Sequence, residues 1–112
     1  MNEAAFSVAL ETLVGRIEEA VDAACESHDA ALDYENNGGV LTILCEDSNT
    51  QVIVSGQLAL RQIWVAAKSG GFHCDFNDGR WVCRTTGESL GTLLSRVCTE
   101  QSDEPCVLSN ID

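Results

Sequence analysis

QIWVAAKSGGFHCDF, residues 62–76, holds two alternating runs about a Lys68-Ser69-Gly70-Gly71 turn. In the first run, from Arg61 to Ala67, Ile63, Val65 and Ala67 alternate with Gln62, Trp64 and Ala66. In the second, Phe72, Cys74 and Phe76 alternate with His73 and Asp75. A period of two is the mark of a strand with one buried face. A turn this short joins the two runs antiparallel. The first set of each run is expected to face a core. Trp64, His73 and Asp75 are expected on the opposite side, with Gln62.

The same pattern extends outward in both directions. Asn77-Asp78-Gly79 leads into Arg80 to Arg84, where Trp81 and Cys83 point in and Arg80, Val82 and Arg84 point out. Upstream, Ala31 to Glu35 ends at Asn36-Asn37-Gly38-Gly39, a strong hairpin signal. Val40 to Cys45 ends at Glu46-Asp47-Ser48-Asn49, and Gln51 to Val54 ends at Ser55-Gly56. Close turns between short runs predict an antiparallel meander of about six strands.

Helical periods flank this region. Phe6, Leu10, Leu13, Ile17, Val21 and Ala24 recur at three- and four-residue steps, which predicts a helix over 3–25. A second helix is expected over 86–101, opened by a capping box of Thr85 with Glu88 and carrying Leu90, Leu93, Leu94, Val97 and Cys98 on one stripe. Gly91 weakens that helix by roughly 1 kcal/mol relative to alanine. Two helices at opposite ends of the chain can share one face of a sheet. The expected class is therefore α+β: a single domain, 1–112, built as a two-layer sandwich with the sheet over 31–84, a tail over 102–112 and one sheet face open.

Charge is concentrated on the first helix and just after it. Residues 1–35 hold nine carboxylates and one cation, Arg16, so −8 of the formal −12 lies there. Glu11, Glu18 and Asp22 project opposite the apolar stripe, with Glu19 and Glu26 beside them. Like charges four apart, such as Glu18/Asp22 and Asp22/Glu26, each cost roughly 0.2–0.5 kcal/mol. A helix needing only solubility could carry lysines among them, so the negative potential has a use. Five arginines and one lysine against 18 acids argue against nucleic acid and against an anionic membrane. Metal cations and basic protein patches fit instead. Two acids in the first eleven residues and no apolar run of membrane length point to a cytoplasmic location.

The six cysteines, at 25, 45, 74, 83, 98 and 106, contain no C-x₂₋₄-C pair, so a structural zinc site has little support. Cys45 and Cys74 alternate with apolar residues and read as small buried hydrophobes. His73 and Cys74 face opposite ways as strand neighbours, which argues against a catalytic dyad. No enzyme activity is expected.

Three stretches together resemble the frataxin family, in its bacterial branch: NNGGVLTI at 36–43, QIWVAAKSGGFHCDF at 62–76 and TGESL at 86–90. The resemblance runs from about residue 3 to 101, and the middle stretch is the specific one. It implies the helix–sheet–helix sandwich and a role in iron–sulfur cluster assembly. It also implies weak binding of iron (Fe²⁺/Fe³⁺), with no tightly held cofactor, by carboxylates of the first helix and the edge of the first strand. Carried over, the metal residues are Glu18, Glu19, Asp22, Asp29 and Asp33, with Glu26 in a loop longer than usual. The implied partners are a cysteine desulfurase, met by the acidic ridge, and an iron–sulfur scaffold protein. The implied partner-binding residues are Glu11, Glu18, Glu19 and Asp22 on the ridge and Gln62 and Trp64 on the sheet, which contact the assembly machinery. The protein is expected to be a monomer that metal can drive into oligomers.

The chain departs from the family pattern. Ala23 stands where an acid is common, SGQLAL at 55–60 replaces a polar loop, and Gly91-Thr92 replaces bulkier residues. The chemistry agrees with weak binding: carboxylates on the outside of one helix diverge, stay solvated and suit Mn²⁺, Ca²⁺ or Mg²⁺ as well as iron. His28, expected in the loop beyond the helix, is a further candidate ligand. Two other readings remain: a thiol-based redox or sulfur-transfer protein, and an acidic adaptor whose metal binding is incidental.

Overall fold

The computed structural model describes residues 1–112. In chain order the elements are α1 (Glu3–His28), β1 (Leu32–Asn37), β2 (Val40–Cys45), β3 (Thr50–Gln57), β4 (Gln62–Ala67), β5 (Gly70–Asn77), β6 (Arg80–Cys83) and α2 (Leu90–Ser102). The six strands form one antiparallel sheet in the order β1-β2-β3-β4-β5-β6.

Asn2 caps α1, its Oδ1 accepting from Ala5 N–H at 2.8 Å. The helix continues three residues past the expected end and stops at Asp29, whose φ of 58° is left-handed. The backbone reversal at Asp29, not the polar composition of 26–28, ends it. Glu26 and His28 are therefore in the last turn of α1, not in a loop.

Two hairpins close through two-residue turns with left-handed backbone throughout. Gly38-Gly39 has φ of 59° and 87° between paired Asn37 and Val40, and Asp78-Gly79 has φ of 50° and 82° between Asn77 and Arg80. Such turns match the twist of the strands they join. Strand β3 does not end at Ser55-Gly56 but runs through it, with Gly56 opposite Ile63. A Cβ at Gly56 would lie 2.5 Å from Leu10 Cδ2, so the bare backbone admits α1 to the sheet.

Phe6, Leu13, Ile17 and Val21 of α1 and Leu90, Leu93, Leu94 and Val97 of α2 are buried with Leu41, Ile43, Val52, Val54, Ile63 and Val65 of the sheet. The tail beyond α2 joins this core through Cys106, Leu108 and Ile111. Gly91 N–H donates to Asp112 Oδ1 at 3.2 Å, and a Cβ at Gly91 would meet Asp112 Oδ2 at 3.0 Å and Ile111 Cβ at 3.4 Å. A helix-weakening glycine thus makes room for the tail.

Three further expectations are corrected. Helix α2 starts at Leu90 under the cap Ser89, whose Oγ accepts from Thr92 N–H, not at a Thr85–Glu88 box. Gly87, at φ 75°, breaks the chain before it, and Glu88 is held by Arg96 Nε and Nη2, each at 2.9 Å. Phe76 is 42% exposed because Trp81 takes the inner position, edge-on to Phe6 at 5.8 Å and to Phe76 at 5.1 Å. Gln62 is 6% exposed despite its place on the outer face, for reasons given below.

Candidate functional site

The first candidate surface is the outside of α1. Glu11, Glu19, Asp22, Glu26 and Asp29 are exposed and Glu18 is half-buried. The structure contains three ion pairs, Arg84–Asp75, Arg96–Glu88 and Arg96–Glu100, and none reaches these carboxylates. Their charge is left for solvent or a partner. Asp29 and Glu26 lie at the C-terminal end of α1, where the helix dipole is already negative, so cations are favoured there twice over.

Tyr34 ties this ridge to the sheet, a link the sequence reading missed. Strand alternation puts Tyr34 on the side of buried Leu32, and its Oη donates to Asp22 Oδ2 at 3.1 Å. The bond to Asp22 raises the phenol's pKa, helped by slight burial and by the charges of Asp22, Glu18 and Asp33. The fields of α1 and of the first strand therefore meet at this hydroxyl. Asp33 itself alternates to the opposite, open face of β1, and its Oδ1 accepts from Tyr34 N–H at 2.8 Å. No three His, Cys, Asp or Glu side chains converge to hold an ion. The acidic surface can attract and loosely ligate a cation; it does not enclose one. A groove of about 350 Å³ between α1 and the β1–β2 hairpin is lined by Glu11, Glu18, Asn36 and Gly39 among others. His28 borders a separate hollow with Glu104, Pro105 and Val107.

The second surface is the open face of the sheet. Trp64 and His73 are directly opposed in the β4–β5 register and stack, with ring centroids 4.3 Å apart and planes 6° from parallel. Trp64 Nε1–H donates to Gln62 Oε1 at 2.9 Å, and Gln62 Nε2 donates to Asp75 Oδ1 at 3.1 Å. Arg84 Nε completes the chain on Asp75 Oδ2 at 2.6 Å. Arg84 is the main cause of a depressed Asp75 pKa; slight burial opposes it, and Gln62 and His73 add to it. Every polar group of Gln62 is engaged under the indole, which is why an outward-facing glutamine is buried. The network presents Trp64 half-buried in a fixed orientation, an arrangement suited to anchoring a protein partner.

No helix is long and apolar enough to cross a membrane. Five of the cysteines are buried; half-buried Cys25 donates its thiol to Leu32 O at 3.2 Å.

Two terminal helices on one face of a six-stranded meander, with an acidic first helix and a tryptophan on the bare face, define the class. The chain belongs to the frataxin family: a frataxin-like domain matches residues 1–104. It is 48% identical over 94 residues to the iron-sulfur cluster assembly protein CyaY of Stutzerimonas stutzeri (strain A1501), covering 82% of this chain and 84% of that protein. A frataxin of the CyaY family from Psychromonas ingrahamii has the same fold, with a TM-score of 0.78 at 30% identity, covering 98% of this chain and all of that one. Trimeric frataxin from the yeast Saccharomyces cerevisiae, solved as a ferrous complex, shares the fold at a TM-score of 0.71 and 21% identity, over 86% of this chain and 87% of that one.

Proposed function

We propose that this protein is a cytoplasmic, non-enzymatic accessory protein of iron–sulfur cluster assembly that handles iron and regulates a cysteine desulfurase. The observation that carries this reading is the α1 ridge, whose carboxylates have no internal cation to neutralise them. Glu18, Glu19, Asp22, Glu26 and Asp29, with Asp33 at the margin, take up Fe²⁺ or Fe³⁺ weakly as cargo. Oxygen ligands suit both ions, and a convex helix surface sets the affinity low. The same ridge, extended by Glu11, docks on a basic patch of the desulfurase, an association that salt weakens. Trp64, oriented by buried Gln62, meets the scaffold protein on the open face. The relative named as an iron-sulfur cluster assembly protein supports the pathway.

The test is a desulfurase assay with the protein added, with and without Fe²⁺. Reversing Glu18, Glu19 and Asp22 together to lysine is expected to abolish desulfurase binding while circular dichroism stays native. Binding as tight as wild type at low salt would remove the ridge from the docking face. In parallel, Mn²⁺ or Co²⁺ is expected to perturb resonances of Glu18, Glu19 and Asp22 and to leave the sheet unchanged. Perturbation centred on His73 and Cys74 would overturn the metal assignment.

A further inference from the structure

Two of the six cysteines stand directly opposite each other. Cys74 of β5 pairs with Cys83 of β6, and both side chains face the core, 0% and 1% exposed. The backbone bonds fix the kind of pair. Arg84 N–H donates to His73 O at 2.9 Å, which makes 73–84 a hydrogen-bonded position of the ladder. Pair types alternate along antiparallel strands, so Cys74–Cys83 is a non-hydrogen-bonded pair. Cys83 N–H indeed turns away from β5, to Glu88 O at 2.8 Å. In such a pair the Cα atoms lie about 4.5 Å apart, inside the about 4.4–6.8 Å that a disulfide spans. The other cysteines sit on α1, β2, α2 and the tail, and none has a cysteine opposite it in the sheet.

We propose that Cys74 and Cys83 form a redox modification site, a dithiol that a peroxide converts to a disulfide across the β5–β6 hairpin. The two thiols are not equivalent. Burial works against the Cys83 thiolate, but hydrogen bonds from Thr86 and Thr85 outweigh it and lower its pKa, whereas burial pushes Cys74 up to about 12. Thr85 Oγ1 lies 3.5 Å from Cys83 Sγ. Within this pair Cys83 is therefore expected to be the attacking sulfur. It is also the last residue of a four-residue edge strand, followed by the exposed segment 84–87. Opening of so short an edge admits a small oxidant.

Cys83 sulfur attacks one peroxide oxygen, the O–O bond breaks, and the departing hydroxide takes the thiol proton as water. Cys74 sulfur then attacks the resulting sulfenic sulfur. The S–S bond forms, the S–O bond breaks, and hydroxide leaves with the Cys74 proton as a second water. The two sulfurs give up two electrons in all, and the peroxide receives them. The bridge would fasten β6 to β5 beside Arg84 and Asp75, whose contact lies on the opposite face. This site is independent of the ridge and of the iron reading.

The experiment treats the full chain with hydrogen peroxide, blocks free thiols with N-ethylmaleimide in denaturant, and maps the unreduced tryptic digest by mass spectrometry. Cleavage after Arg80 separates Cys74 from Cys83, so their peptides stay together only if bridged. The expected result is loss of two hydrogens, four blocked cysteines and a Cys74–Cys83 linked pair. Six blocked thiols, sulfinic acid at Cys83 without a bridge, or a bridge such as Cys45–Cys98 in its place would each overturn the proposal. In Cys74→Ser the sulfenic acid on Cys83 is expected to persist and to be trapped by dimedone; loss of two thiols in that variant would also overturn it. The wild-type map decides the question by itself should the variant fold poorly.

Discussion

Gln62→Leu isolates what holds Trp64 in place. Leucine keeps the volume of the buried side chain and removes both of its polar contacts, the one it accepts from Trp64 Nε1 and the one it donates to Asp75. The indole N–H is on a half-buried residue and can turn to water, and Asp75 keeps Arg84. The loss is therefore the net worth of two hydrogen bonds, about 1–2 kcal/mol, without the larger penalty of an orphaned buried group. In a domain of this size that lowers the melting temperature by about 4–8 °C. Urea unfolding reads the stability, and an unchanged m-value would confirm that the fold is intact. In a Trp81→Phe background the remaining tryptophan reports directly on the network. Its emission is expected to shift red and its quenching by acrylamide to rise, and the complex with a scaffold protein is expected to dissociate faster. A variant within 0.5 kcal/mol of its parent, by the same net hydrogen-bond measure, and with unchanged emission would show that the stack on His73 alone orients Trp64.

Gln101 is the corresponding tether on the other face. It accepts from Lys68 N–H at 2.8 Å and donates to Thr50 Oγ1 and Gln51 O at 3.0 and 3.1 Å, so Gln101→Ala is expected to cost about 2–3 kcal/mol in urea unfolding. Asp75 has a lower pKa folded than unfolded, so its contribution to stability is complete above the ordinary aspartate value of 3.8 and fades as pH falls through the lower folded value. Asp75→Asn is expected to flatten that acid limb of the stability curve; an unchanged limb would place the acid sensitivity elsewhere. Salt or divalent cations are expected to raise the melting temperature by relieving the ridge. Glu19→Lys is expected to do the same at low salt only, and Asp22→Lys to gain less because it gives up the Tyr34 bond.

The meander and the two helical stripes were legible because each rests on a local period that packing then obeyed. Trp64 on the open face and Cys74 inside it came from simple alternation. What the alternation misjudged lay where one side chain covers another. Gln62 is buried under its own strand neighbour two residues on, and Phe76 is displaced outward by Trp81. Helix ends were misplaced because left-handed residues at Asp29 and Gly87, not composition, set them. The ridge carboxylates were visible from spacing, but Tyr34 was not singled out, although its place in the strand with Leu32 already turned it toward α1. The tail was read only as a segment following the second helix; its three buried apolar residues and the room left at Gly91 appear only when the chain is folded.

Every strand pairs with its neighbour in the chain, and this has a consequence for how the protein is born. Each hairpin can close by itself within microseconds, so the sheet grows in the order of synthesis. Its apolar face does not become dry until α2 and the tail arrive, and these are made last. Meanwhile α1, made first, carries Phe6, whose aromatic partner Trp81 is still far along the chain. Until the strands it packs on are made, the helix has an apolar stripe with nothing to cover it. The carboxylates on its other side keep it dissolved and repel the same helix on neighbouring nascent chains. The ridge is thus at work before the chain has a folded surface at all.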